Sequence, residues 1–292
     1  MAKLEYTFKT DTLFKMLFVK HQDLLEKLVA ELLGIRLSSI GNFKVTNPEM
    51  PPENLEDKFC RLDINMTVDG VRVNLEIQVE DKGDYPERML YHWAREYSSA
   101  LPSGGRYLDL PRAIIISIIN FNLFDCEAYH SEFEALEVTR HEALSDKMAL
   151  HFFELKKLPG SLDKDDVPLL WLSLFRAETE EELSRIKALE VSEMTEAINA
   201  YQSIVASPEF REVERLREKA RHDEAQAIWY AEQKAEERIN AKWESVVADK
   251  DSQLADKDTQ LADKDTQLAD KDAQLADKDT LIAELRRRLG GD

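Results

Sequence analysis

The dipeptide Asp69-Gly70 constrains this chain more than any other feature, because it joins two stretches that both alternate polar and apolar residues. Both residues tolerate positive φ, and such a pair between alternating segments is the strongest short-range signal for a β-hairpin. The flanking strands are expected over residues 59–68 and 71–79. Pairing Val68 with Val71 sets the register, which brings Asp63 opposite Glu76 and Arg61 opposite Gln78. A side-chain period of two then sends Asp63, Glu76 and Gln78 to one polar face. Leu62, Ile64, Met66, Val73, Leu75 and Ile77 go to the other. Like charges directly opposed across a sheet are destabilising. A divalent cation offers compensation, since it binds carboxylate oxygens and offsets their repulsion.

At 292 residues the chain has room for one sizeable domain with extensions, or for two domains. Its apolar fraction of 43% is that of an ordinary globular protein. Two cysteines, Cys60 and Cys126, cannot build a disulfide framework, and the opening residues lack the apolar stretch of a signal peptide. The longest strongly apolar run, 113–119, is far too short to span a bilayer. A cytoplasmic, soluble protein with no membrane contact is expected. The formal charge of −19 argues against a general nucleic-acid binder with a basic surface. Much of the acid lies in the C-terminal half, however, and a nuclease needs only a local basic groove. Arg61, Arg72, Lys82, Arg88 and Arg95 cluster around the hairpin and could supply one, or could be ordinary solvated charges.

Along the chain, residues 11–34 carry a helical pattern, with Asp11 or Thr10 as N-cap and Gly34 placed as the glycine that ends a helix. A short strand around 43–45 and a turn-rich stretch with Pro48, Pro51 and Pro52 precede the hairpin. Pro86 begins a second helix, 87 to about 101, in which Met89, Leu90, Trp93 and Tyr97 recur at helical spacing, and Tyr91 and Tyr97 are read as core residues. Residues 112–121 form a fully buried strand, and 148–155 another. The resulting order of elements gives an α/β core over residues 1–160. After Pro159-Gly160 the pattern is helical, with helix-start chemistry at Thr179, Ser192 and Ser207-Pro208-Glu209. A helical segment is expected over 161–206, then a long charged helix and a heptad-repeat stalk over 207–292.

That stalk repeats Ala-Asp-Lys-Asp from positions 248, 255, 262, 269 and 276, spacing Leu254, Leu261, Leu268, Leu275 and Ile282 seven apart. A strong coiled coil needs two apolar positions per heptad, and here the second falls on Lys257 or Asp258 and their equivalents. A solvated or marginally oligomeric stalk is expected.

Asp63, twelve intervening residues, then Glu76-Ile77-Gln78 resembles the PD-(D/E)XK nuclease signature, with Gln78 in place of the usual lysine. Two carboxylates on adjacent strands can hold Mg²⁺, which polarises a phosphate and activates water, while a polar side chain two residues on shares their face. The competing reading is an exposed polar face without metal. Glu80 extends the acidic row and would bind a second metal if the strand continued; otherwise it is a solvated loop end. The six histidines show no ligand spacing, and no CxxC, GxGxxG or Walker motif is present.

Four segments together look like the recombination-promoting nuclease family, a PD-(D/E)XK nuclease-type transposase family. They are Lys9-Thr-Asp-Thr-Leu-Phe-Lys-Met-Leu-Phe, Arg61-Leu-Asp-Ile-Asn, Val73-Asn-Leu-Glu-Ile-Gln-Val and Arg88-Met-Leu-Tyr-His-Trp-Ala-Arg-Glu-Tyr. The resemblance implies a restriction-endonuclease-like α/β core, a mixed central sheet flanked by helices, followed by an all-helical C-terminal extension with the heptad-repeat tail. It further implies metal-dependent DNA cleavage in recombination or mobile-element biology, with Mg²⁺, Mn²⁺ or another divalent cation as cofactor. Asp63 and Glu76 would bind the metal and Gln78 would orient water or phosphate; glutamine is common at that position in the family. Asp11 and Lys15 resemble the first-helix signature; from the residues alone they read as a capping acid and a solvated lysine, with a phosphate contact from Lys15 as the rival. The alternative function is a weak or inactive nuclease-fold module acting through protein interactions of its tail, which could also form a homo-oligomer.

Overall fold

The computed structural model describes residues 2–47 and 63–290. Pro48, Pro51, Pro52 and the expected strand start with Cys60, Arg61 and Leu62 lie outside the described residues, and so does the expected pairing of Arg61 with Gln78. The chain divides into two compact units, Met1–Ala220 and Arg221–Asp292.

The first unit is built on a six-stranded mixed sheet of order β1-β2-β3-β4-β6-β5. Its strands are β1 (Phe43–Val45), β2 (Ile64–Val68), β3 (Val71–Gln78), β4 (Ala113–Ile119), β5 (His130–Phe133) and β6 (Met148–Glu154). The hairpin has the expected register, from Val68 opposite Val71 to Ile64 opposite Leu75. Its turn residues Asp69 and Gly70 have φ of 49° and 83°, the left-handed conformations that a tight hairpin requires. The Asp69 carboxylate also accepts from the Asn42 amide at 2.7 Å, tying the turn to the start of β1. On its other side β3 runs parallel to β4, and β4 parallel to β6. Every residue of β4 is buried, as its unbroken apolar run demands of a strand covered on both faces.

Helices cover the two faces unequally. Ile64, Met66, Val73 and Leu75 share one core with α1 (Asp11–Lys20), α2 (Gln22–Leu32), α4 (Val167–Arg176), α5 (Glu180–Lys187) and α6 (Ser192–Ala206). Trp171 at its centre has no exposed surface. The opposite face carries a smaller cluster, where Tyr85 and Met89 of α3 (Tyr85–Ser99) meet Ile115, Ile119, Leu150 and Phe152. The start of α7 (Pro208–Leu289) contributes Phe210 to the larger core.

Three local features depart from the sequence expectation. The helix expected over 11–34 is two helices, broken at His21 (φ −119°, ψ 70°), with no glycine or proline to mark the break. Gly34, at φ 65°, does follow the second of them as expected. Tyr91 is 62% exposed and so is not a core residue, whereas Tyr97 stacks on Trp93 at 5.2 Å. The edge strand β5, His-Ser-Glu-Phe, has no β-branched residue to announce it. It is held through β6, where the His130 ring stacks on Phe153 at 4.4 Å and Nε2 lies 3.1 Å from His151 Nδ1. Burial lowers both imidazole pKa values, that of His151 to about 4, so the pair is neutral in ordinary buffers.

At the expected helix starts, Thr179 and Glu182 form a capping box at α5, and the Ser207 hydroxyl accepts from the Phe210 amide at 3.2 Å as α7 begins. In the second unit α7 continues to Leu289 with every described residue exposed, and Leu254, Leu261 and Leu268 are each 57% exposed. No helix among the described residues is long and apolar enough to cross a membrane.

Candidate active site

Side-chain alternation along β3 places Arg72, Asn74, Glu76 and Gln78 on the face that α3 covers. This face is not a solvated one: Asn74 is 3% and Glu76 7% exposed, because α3 lies over them. The helix presents Tyr85, Arg88 and His92 at i, i+3 and i+7, one stripe of its surface. All three meet Glu76. The Tyr85 hydroxyl donates to Glu76 Oε1 at 2.7 Å, Arg88 Nη2 lies 3.4 Å from the same oxygen, and His92 Nδ1 lies 3.6 Å from Oε2. Burial and the Glu76 charge raise the Tyr85 pKa well above its ordinary value, so the phenol remains a donor.

Asp63 sits one residue before β2, next to the last pair of the ladder, Ile64 opposite Leu75. Asn74 fixes it to the α3 face, since Nδ2 donates to Asp63 Oδ2 at 2.8 Å and to Asn65 Oδ1 at 2.7 Å. The other carboxylate oxygen, Asp63 Oδ1, is buried and has no hydrogen-bond partner among the described residues. The backbone is clamped as well. Asn47 Nδ2 donates to the Asp63 carbonyl at 2.9 Å, and its Oδ1 accepts from the Asn65 amide at 2.7 Å.

Lys15 completes this clamp and corrects its reading as a solvated lysine. It is 2% exposed, and Nζ donates to the carbonyls of Asn47 at 2.8 Å and Asp63 at 3.1 Å. Its stem crosses the core and its charge is solvated by backbone dipoles. Asp11 does not join the site; it is half exposed at the start of α1 and pairs with Arg217 Nη2 at 3.5 Å. Gln78 ends β3, with Oε1 accepting from Arg88 Nη2 at 2.8 Å and Nε2 donating to the Glu80 carbonyl at 2.9 Å. The strand stops there, so Glu80 is an exposed loop residue. Of the basic cluster near the hairpin, Arg72 bonds to the Glu96 carbonyl and Ser99 hydroxyl, and Arg88 alone reaches Glu76 among the described residues.

Among the described residues Arg88 links Glu76 to Gln78, while Asn74, Asn47 and Lys15 hold Asp63; Asp11 and the Glu80 side chain take no part in these contacts. Asn47, Asn65, Asn74, Tyr85 and His92 are site residues that sequence spacing did not single out. The signal for the helix residues is a second, polar stripe on α3 beside the apolar Met89 and Trp93. Among the described residues there is no group of three or more His, Cys, Asp or Glu side chains placed to hold a metal. The sequence-expected donor set is the two carboxylates Asp63 and Glu76, the former with an orphaned buried oxygen. Such a set suits a hard divalent cation that takes one or two protein carboxylates and completes its shell from water and phosphate.

No curated protein and no solved structure matches the chain. The model of one family, PD-(D/E)XK nuclease family transposase, matches residues 8–231, which span the sheet, α1 to α6 and the opening of α7. A hairpin whose Glu76 lies beneath a polar helix stripe, on a mixed sheet flanked by helices, fits that match, and the chain belongs to the PD-(D/E)XK nuclease transposase family.

Proposed function

We propose that this protein is a metal-dependent DNA endonuclease acting in recombination or transposition-like events, with Asp63 and Glu76 as metal ligands and Gln78 as a polar group at the reacting phosphate. The observation that carries this reading is Asp63 Oδ1, a buried carboxylate oxygen without a partner among the described residues, on the same sheet face as Glu76. An unsatisfied buried oxygen of an ionised group is costly unless a cation meets it. Asn74 occupies Oδ2 and so orients the carboxylate, while Lys15 and Asn47 fix its backbone. Tyr85 does the same for Glu76 by holding Oε1. When bound, Mg²⁺ at this pair would supply Lewis-acid polarisation of the phosphate and lower the pKa of coordinated water. Mg²⁺ suits two hard carboxylates and few other protein ligands, and Mn²⁺ fits the same set. Gln78 can orient water or phosphate but cannot take a proton or carry charge.

The experiment is nicking of supercoiled plasmid by the purified full chain. Open-circular product in Mg²⁺ or Mn²⁺, absent in EDTA, is the expected result; an intact plasmid under every metal would overturn the reading. It would then favour a second one, a nuclease-fold module that acts through its tail, for which the Gln78 amide and the charge of −19 speak.

The heptad leucines support a further element of the proposal, that the C-terminal helices associate two copies of the chain so that both DNA strands meet a site. Sedimentation of the full chain against a truncation before Val247 tests this. A dimeric full chain and a monomeric truncation are expected; equal monomeric masses would remove the idea.

A further inference from the structure

We infer that Arg88, on α3, is the cation that contacts the scissile phosphate in this site, the part that a lysine at position 78 would play and that Gln78 cannot. The inference rests on the nuclease reading and deepens it. A reaction at a phosphodiester develops negative charge on the phosphate oxygens, and a site without a protein cation there forgoes one of its strongest sources of stabilisation. The strand offers none, because residue 78 is an uncharged amide.

The helix supplies it. Arg88 Nη2 lies 2.8 Å from Gln78 Oε1 and 3.4 Å from Glu76 Oε1, so the guanidinium stands where the third side chain of the strand motif points. Gln78 is engaged at both ends of its amide, by Arg88 and by the Glu80 carbonyl, and serves to hold the guanidinium in place. Arg88 is neither sealed in nor free. Its side chain is 29% exposed and its ring-side neighbour is Tyr85, whose centroid lies 4.8 Å from the guanidinium carbon. Arg88 Nε is buried with no hydrogen-bond partner among the described residues. Its bonds to Glu76 and Gln78 use Nη2, and Nη1 makes no hydrogen bond among the described residues, so the guanidinium keeps donors suited to a phosphate oxygen.

Two rival cations among the described residues are committed elsewhere. Lys15 Nζ is turned to the carbonyls of Asn47 and Asp63, and Arg72 to the C-terminal turn of α3. Among the described residues Arg88 is the only arginine or lysine that hydrogen-bonds or ion-pairs with Glu76 or Gln78.

The test measures binding apart from turnover. Affinity of the full chain for a short fluorescein-labelled DNA duplex is read by anisotropy in EDTA across a NaCl series, for wild type, Arg88→Ala and Arg88→Lys. Loss of one phosphate contact lowers the slope of log affinity against log salt by about one. That decrease is expected for Arg88→Ala, with the wild-type slope kept by Arg88→Lys. Single-turnover cleavage in Mn²⁺ should fall about a hundredfold in Arg88→Ala and much less in Arg88→Lys. Stabilisation by Mn²⁺ in a thermal melt should be as large in Arg88→Ala as in wild type, because a phosphate ligand is not a metal ligand. An unchanged salt slope, together with a smaller Mn²⁺ shift, would make Arg88 a brace for Glu76 and overturn the assignment. Equal binding and cleavage by wild type and Arg88→Ala would overturn it too while leaving the nuclease reading intact. Wild type that neither binds nor cuts DNA would remove both.

Discussion

Asp63→Asn and Glu76→Gln are each expected to slow Mg²⁺-dependent nicking by about a thousandfold or more, and each to abolish stabilisation by Mn²⁺. Both substitutions keep the shape of the side chain, so the contacts that hold it survive: Asn74 can still donate to residue 63, and Tyr85 to residue 76. What changes is charge at the proposed metal site, where no third His, Cys, Asp or Glu among the described residues could take its place. A metal ion contributes several kcal/mol to stabilising the charge that develops on a phosphoryl group, and each 1.36 kcal/mol corresponds to a factor of ten. Losing about 4 kcal/mol therefore gives the thousandfold. The binding side is read separately. A ligand at a hundred times its dissociation constant stabilises the folded state by about 2.7 kcal/mol, which in a unit of this size raises the melting temperature by about 5–10 °C. Wild type should show that rise in Mn²⁺, and neither variant should. Without metal the variants should melt within a few degrees of wild type, because the contacts that hold each side chain are kept while one negative charge is lost. Full activity in either variant would place the chemistry elsewhere. A loss of activity with the Mn²⁺ shift retained would mean that the carboxylate acts on substrate rather than on metal.

The parts of this site legible in the sequence are those that local geometry dictates. Asp69-Gly70 permits one tight turn, the turn fixes one register, and the register sets which β3 residues share a face with Asp63. The buried β4 run and the Pro86 helix start are equally local. What the sequence concealed was the third dimension. Alternation reports that Asn74 and Glu76 share a face, but not that α3 lies over it, so a face expected to be polar and open is polar and closed. Tyr85, Arg88 and His92 converge on Glu76 only because α3 crosses β3, and nothing in their spacing names the partner. Lys15 reaches a carbonyl 48 residues away, a contact that no window of sequence contains. The break at His21 and the strand β5 were hidden for the opposite reason. Their residues have no strong preference, and packing decides.

Glu154→Leu is expected to cost about 3–5 kcal/mol of stability, although it replaces a charge with an apolar side chain at a fully buried position. Glu154 ends β6 and has no exposed side-chain surface, and its partner Lys157 is 9% exposed. Oε2 meets Lys157 Nζ at 2.7 Å, while Oε1 accepts from the Leu123 amide at 2.7 Å and the Phe124 amide at 3.4 Å. Lys157 also donates to the Phe124 carbonyl at 2.6 Å. The pair thus fastens the segment that leaves β4, whose first residue, Asn120, donates its amide to the Gln78 carbonyl at 2.9 Å. Removing the acid strands a buried ammonium and two backbone donors together, and breaking one side of a buried pair is the expensive case. Lys157→Met alone should also destabilise, by leaving the carboxylate without its cation. In Glu154→Leu with Lys157→Met no charge is stranded, so the double variant should recover much of the loss and fall short of wild type by about the cost of two unpaired amides. Calorimetric melts of the four proteins measure this cycle, with about 10 °C expected between wild type and Glu154→Leu. Additive losses in the double variant would show that Glu154 and Lys157 do not act as a pair, and that the loop is held by the backbone contacts alone.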